Sequence, residues 1–156
     1  MQEIEGNLVD MAWGGAFDVI CHGANCFHTM GAGIAKAIAK AFPAAYMADL
    51  GTPYGAPSKL GTLSAATIIR QNGKELTIIN AYTQYRYGGG HDLDMNALSR
   101  ALRMVNARFK GKSIGLPRIG CGLAGGDWKE VKQTINRCLP DCIVTVVTLP
   151  EGKGQK

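Results

Sequence analysis

Short apolar runs alternate along the chain with stripes of apolar residues spaced four apart. The first run, Asp18 to His22, carries Val19, Ile20 and Cys21 without interruption. Apolarity on consecutive positions predicts a strand buried on both faces, as in a parallel sheet. From about Gly33 to Phe42 the pattern changes to Ile34, Ile38 and Phe42, the spacing of one helix face, and Pro43 stops it. Ala44 to Leu50 extends this region as a short helical piece. Leu60 to Arg70 and Leu76 to Thr83 read as two strands joined by Gln71-Asn72-Gly73-Lys74, and Asn-Gly between apolar runs is a strong hairpin signal. A long amphipathic helix is predicted from about Asp94 to Phe109, with Met95, Leu98, Leu102, Val105 and Phe109 on one face. Ser113 to Leu116 follows as a short strand. Asp127 has the character of an N-cap for a helix carrying Trp128, Val131, Ile135 and Leu139. Ile143 to Leu149, rich in Val and Thr, forms the last predicted strand. Helices alternating with strands place the chain in the α/β class, with a mixed sheet.

The 156 residues suit one domain, expected over residues 1–150. No internal repeat or dividing linker is visible, and Glu151 to Lys156 has no apolar anchor, which predicts a flexible C-terminal tail. Glycine changes the picture: there are 21, against a usual share of about 7%. They cluster at Gly14-Gly15, Gly31 to Gly33, Gly88 to Gly90 and Gly120 to Gly126, which suggests loops whose backbone approaches something closely. The net charge of +5 favours anionic partners. The Lys and Arg residues are scattered, without the basic stripe and interleaved aromatics that nucleic-acid binding calls for.

Five cysteines (Cys21, Cys26, Cys121, Cys138, Cys142) are an odd number with no secretory signal before them. This argues against a disulfide framework and for a reducing, cytoplasmic location. No apolar run approaches the roughly 20 residues that cross a bilayer, so no membrane partner is expected. Paired C-x-x-C spacing is absent, and no metal is expected.

Twice, a buried strand runs into a glycine-rich loop that opens a helix. One such stretch is Cys21 to Ile34, with Gly23 and Gly31-Ala32-Gly33; the other is Leu116 to Trp128, with Gly120, Gly122, Gly125 and Gly126. N–H groups at a helix start lack partners, and the helix dipole adds positive potential there. Two such loops at the carboxyl ends of strands could close on one diphosphate. Gly120, Gly122 and Gly125 also spell G-x-G-x-x-G. A Rossmann dehydrogenase is excluded, because the motif lies near the C-terminus and no acidic residue ends the next strand. No G-x-x-x-x-G-K-[ST] occurs, which excludes a P-loop.

With both loops in view, the chain resembles the macrodomain family over nearly its whole length. The residues that carry the resemblance are Glu5-Gly6-Asn7-Leu8, His22-Gly23-Ala24-Asn25, Met30-Gly31-Ala32-Gly33-Ile34-Ala35 and Pro117 to Trp128. It is most similar to the fungal-type ADP-ribose 1″-phosphate phosphatases and the terminal ADP-ribose protein glycohydrolases. The resemblance implies a three-layer fold, a mixed central sheet flanked by helices, with ADP-ribose bound in a cleft above the sheet.

Carried over by position, Asn7 and Leu8 would meet adenine and Asn25 the distal ribose. Gly31, Ala32, Gly33 and Ile34 would line one side of the diphosphate, and Gly120, Cys121, Gly122, Leu123 and Ala124 the other. Tyr82, Thr83 and Tyr85 would lie near the ligand. Many relatives have Asp at the place of Asn7, where it accepts from the adenine amino group; Asn accepts without charge. The terminal glycohydrolases use a Lys and an Asp where this chain has Gln84 and Ala124, and Gln cannot form the covalent sugar adduct of a Lys amine.

His22 ends a buried strand at the rim of the first loop and could act as acid, base or nucleophile. It could equally be a core His bonded to a carbonyl. His28 reads as a loop His facing solvent, and His91 as part of local capping beside Asp92 and Asp94. Asp127 needs no role beyond its cap, yet a carboxylate beside a phosphate loop could orient water or protonate a leaving oxygen. Cys121 is a small filler, or a thiolate stabilised near a helix start. Trp13 and Trp128 read as packing. Tyr85-Arg86-Tyr87 before Gly88-Gly89-Gly90 suggests either a flap over the cleft or an ordinary surface loop. The expected activity is removal of phosphate from ADP-ribose 1″-phosphate without a cofactor, with His22 and Asp127 as catalytic groups. The alternatives are removal of ADP-ribose from a modified protein or nucleic acid, and a non-catalytic ADP-ribose reader.

Overall fold

A computed structural model describes residues 1–150; the tail expected at 151–156 lies outside the described residues. The order along the chain is β1 (Gln2–Glu5), α1 (Leu8–Trp13), β2 (Val19–Ala24), α2 (Gly33–Ala41), α3 (Pro43–Leu50), β3 (Leu63–Ile69), β4 (Glu75–Tyr82), α4 (Met95–Arg108), β5 (Ser113–Leu116), α5 (Trp128–Cys138) and β6 (Ile143–Thr148). A single 3-10 turn, Pro57–Lys59, precedes β3. The six strands form one sheet in the order β1-β6-β5-β2-β4-β3. Only β3 runs antiparallel, paired to β4 across the expected hairpin.

Helices cover both faces, which makes three layers. On one face α4 and α5 pack Leu98, Leu102, Val105, Val131 and Ile135 against Val19, Cys21, Ile79, Ile114 and Val146. On the other, Leu8, Ala12, Ile38, Phe42 and Ala45 of α1 to α3 and their junction meet Ile20, Ile78 and Val147. Side chains alternate along a strand. Ile20 therefore faces the α1–α3 layer and Cys21 the opposite one, which turns His22 toward α1–α3. Each fully buried aliphatic side chain contributes roughly 1.5–3 kcal/mol relative to exposure.

Four elements differ from the expectation. β1 and α1 were not foreseen, because β1 is an edge strand of four residues with exposed polar positions and α1 has only six residues. β2 continues two residues past His22, and β3 starts at Leu63 instead of Leu60, because Leu60 and Gly61 continue the turn that the 3-10 segment begins. Arg70, at the end of the hairpin strand, is buried and ties three elements together. Its guanidinium donates to the carbonyls of Ala12, Phe17 and Glu75 at 2.8, 2.7 and 2.9 Å.

Among the described residues, no helix is long and apolar enough to cross a membrane. All five cysteines are free thiols.

Candidate functional site

The parallel strands β6, β5, β2 and β4 end on the same edge of the sheet, and a cleft of about 870 Å³ runs across those ends. Thr148 ends β6; Pro117 and Arg118 follow β5; Gly23, Ala24 and Asn25 end β2; Gln84 follows β4; all of these line the cleft. The cleft therefore has a β6 end and a β4 end, with the two glycine loops between them.

One wall is the start of α2. This helix has Ala32 as N-cap and no side-chain cap, unlike α1, α4 and α5, which Asn7, Asp94 and Asp127 cap. The N–H groups of Gly31, Ala32, Gly33, Ile34 and Ala35 bond to no acceptor among the described residues. The facing wall is the loop after β5. It is tied to itself by Cys121 N–H to Arg118 O at 3.0 Å, Gly125 N–H to Gly122 O at 3.1 Å and Gly126 N–H to Gly120 O at 2.8 Å. This leaves the N–H groups of Gly122, Leu123 and Ala124 without partners among the described residues. Gly31, Ala32, Gly33, Ile34, Gly120, Cys121, Gly122, Leu123 and Ala124 all line the cleft.

Asn25 also lines it, and its side chain shapes its own loop. Oδ1 accepts from Phe27 N–H at 2.8 Å, and Nδ2 donates to Thr29 O at 3.0 Å. The same loop is fastened from behind. Lys59, a buried lysine, donates to Cys26 O at 3.2 Å, Gly55 N–H donates to the same carbonyl at 2.8 Å, and His28 Nε2 lies 2.7 Å from Thr52 O. His28, expected to face solvent, is half-buried in this fastening.

The segment 84–93 returns on itself through a bridge between Gln84 and Leu93, and Tyr87, Gly88 and Gly90 line the cleft. Asp92 and Leu93 both donate to Ala124 O, at 2.9 and 3.2 Å. Gly125 has φ +76, and a Cβ there would lie 1.8 Å from Gly90 O, so the segment and the second loop touch through backbone alone. Asp92 closes the turn, accepting from Gly89 N–H at 2.9 Å, while His91 is exposed; capping of α4 belongs to Asp94, and the expectation for His91 is corrected.

Seven of the residues expected at the ligand are not among those lining the cleft. His22 is fully buried, with Nε2 donating to Asn80 Oδ1 at 2.7 Å; burial outweighs that bond and the nearby Asp49 charge and pulls its pKa down. It faces the α3 layer, which corrects the expectation of an acid or base in contact with substrate. Leu8 has its side chain wholly inside the core beneath α1. Asn7 is the N-cap of α1, its Oδ1 accepting from Asp10 N–H at 3.0 Å. Tyr82 is fully buried and donates to Asp49 Oδ1 at 2.7 Å. Thr83 is fully buried beneath Gly23, filling the place a Cβ on residue 23 would need. Tyr85 packs on Phe27 and donates to Gly55 O at 2.7 Å. Asp127 is exposed and caps α5, accepting from Lys129 N–H at 3.2 Å.

Conversely, Gln84, Tyr87, Arg118, Trp128 and Thr148 line the cleft without having been given a part in it. Trp128, read as packing, does both, since it also packs on the α4–α5 core. No Asp, Glu, His or Lys side chain lines the cleft, and Arg118 is the one formal charge on its walls among the described residues. Burial pushes the Cys121 thiol up to about 11, so it stays protonated near neutrality and behaves as a filler of the loop.

A family profile described as Macro domain matches residues 21–135. A 17.5 kDa protein from the tk-vs intergenic region of Enterobacteria phage T4 is 38% identical over 118 residues, covering 72% of this chain and 74% of that protein. Among solved structures, the macrodomain of Thermus aquaticus DarG superposes with a TM-score of 0.72 at 24% identity, covering 96% of this chain and 97% of the other. Thermosipho africanus DarTG in complex with ADP-ribose gives 0.74 at 17% identity, covering 97% of this chain and 42% of that one.

Proposed function

The chain belongs to the Macro domain family, and on that premise we propose that the cleft binds ADP-ribose with its diphosphate between the two glycine loops. The observation that carries this reading is the uncapped start of α2 facing a second row of N–H groups without partners, across a cleft whose walls, among the described residues, hold no carboxylate. Such rows are anion sites, because the donors are already ordered and the helix dipole favours negative charge. A carboxylate on the wall would oppose it. Gly31 to Ile34 hold one side of the diphosphate, Gly120 to Ala124 the other, and Asn25 stands beside the distal ribose. The solved relative named for its ADP-ribose complex has the same fold.

The reaction proposed is hydrolysis of ADP-ribose 1″-phosphate at the β4 end. Water attacks phosphorus, the bond from phosphorus to O1″ breaks, and inorganic phosphate leaves while O1″ takes a proton from solvent. Loop N–H groups stabilise the charge on the phosphoryl oxygens. Among the described residues no Asp, Glu, His or Lys lines the cleft to act as general acid or base, and such a group typically supplies 10²–10⁴-fold. Turnover is therefore expected well below the usual enzyme median of about 10 per second.

Calorimetry with ADP-ribose and AMP tests the clamp. ADP-ribose is expected in the micromolar range, about −8 kcal/mol, and AMP much more weakly. Equal affinities would exclude a diphosphate held between both loops. Phosphate release from ADP-ribose 1″-phosphate, measured on the same sample, tests the reaction. Binding without release leaves a reader of ADP-ribose.

A further inference from the structure

The cleft has a direction. Asn25 and Gln84 stand at its β4 end, so a ligand whose distal ribose meets Asn25 puts its base at the β6 end, beside Thr148, Trp128 and Arg118. That end carries the one formal charge of the walls, and the charge is positive. Arg118 lies over the Trp128 ring with its guanidinium carbon 5.1 Å from the centroid, and 4.0 Å from a Glu3 oxygen. Stacking on an indole fixes a guanidinium in its plane without using its N–H groups. Its side chain is 48% exposed, and it donates no hydrogen bond among the described residues. Glu3 does not compete for a base, because its oxygens already accept from Trp128 Nε1 at 3.2 Å and pair with Lys132 at 2.6 Å.

Among the described residues, no carboxylate lines that end to read an adenine amino group. Asn7 follows Gly6, whose N–H donates to Thr148 O at 2.8 Å, yet its Oδ1 is uncharged and engaged as the α1 cap. Adenine presents its amino donor where guanine presents O6, and a guanidinium fork pairs with guanine O6 and N7 but not with an amino group.

Resting on the diphosphate reading above, we infer that Arg118 sets base preference, and that the cleft takes guanosine diphosphate-ribose at least as tightly as ADP-ribose. The free N–H fork of Arg118 receives the acceptor edge of guanine. Trp128 and Glu3 act as positioning residues that hold the fork in place.

The test is calorimetric titration of the wild-type protein and Arg118→Lys with both nucleotides, each protein first shown to be folded by thermal melting. Lys keeps the charge and removes the planar fork. Support is a guanosine compound bound as tightly as ADP-ribose or better, with the ratio of the two affinities falling tenfold or more toward adenosine in Arg118→Lys. A guanosine compound bound threefold or more weakly than ADP-ribose by the wild type overturns this inference and leaves the diphosphate clamp standing. An unchanged ratio in the variant removes Arg118 from base selection. If neither nucleotide binds, the clamp itself fails.

Discussion

His22 occupies a fully buried place with one hydrogen bond, to Asn80. Replacing it with Ala empties that place and strips Asn80 Oδ1 of its donor, at an expected cost of about 2–4 kcal/mol in urea denaturation. In the folded protein, ADP-ribose affinity and phosphate release are each expected to fall less than tenfold. A loss of 100-fold or more in turnover at unchanged affinity would return His22 to the chemistry. Its part was hard to read because Val19 to His22 is apolar on both faces, which hides the alternation that turns His22 away from the cleft. Asn7 and Leu8 stand apart from the cleft lining, and Asp127 serves as the cap its position suggests, for a related reason: capping and core packing draw on the same residue types as ligand contact. The glycine loops were legible, because little besides a closely approaching partner explains so many residues without Cβ. Gly122 is the sharpest of them, since a Cβ there meets nothing within 4 Å. Gly122→Glu is therefore expected to melt near the wild-type temperature and to lose ADP-ribose binding in calorimetry, with its carboxylate set against the diphosphate. Normal binding by a folded variant would remove the second loop from the site. Because Gln84 stands in place of Lys and no Lys lines the cleft, incubation with an ADP-ribosylated substrate under reducing conditions should leave no sugar–lysine adduct in the mass spectrum. An adduct on Lys36 would overturn that expectation.

At the scale of elements, the second loop and the 84–93 segment behave as one unit, joined where Gly125 meets Gly90 and where Ala124 O accepts two N–H groups. Gly125→Ala would set a methyl group against the Gly90 carbonyl in a conformation that already disfavours a side chain. ADP-ribose affinity is expected to drop tenfold or more while the cores stay packed, seen as faster amide exchange confined to residues 84–93 and 120–126. Exchange unchanged in both segments would show that they are not coupled. The long elements were legible because a periodic apolar face of ten residues or more has few competing explanations; α4 lies at Met95–Arg108 with Asp94 as its cap, close to the expected range. The short ones were not. β1 and α1 total ten residues and owe their structure to partners far along the chain, Val146 and Val147 for β1, which local pattern does not reveal.

Across the whole molecule, the buried His22 makes stability depend on pH. Burial holds its folded pKa below the ordinary imidazole value of 6.5, so the unfolded chain takes up the proton first. Stability from this source is complete above about pH 6.5 and declines as pH falls from there toward the lowered folded value. Urea midpoints measured between pH 8 and 5 should fall in the wild type and fall less in a folded His22→Asn variant; equal slopes would assign the dependence to other groups. A separate consequence concerns the order of assembly during folding. Gln2 pairs with Thr145 and Glu5 with Thr148, so β1 has its one strand neighbour among the described residues in the strand farthest from it along the sequence. A pairing of that sequence separation carries a large loop-closure cost and forms late. Until then β6, already paired with β5, stands as a bare sheet border on its β1 side.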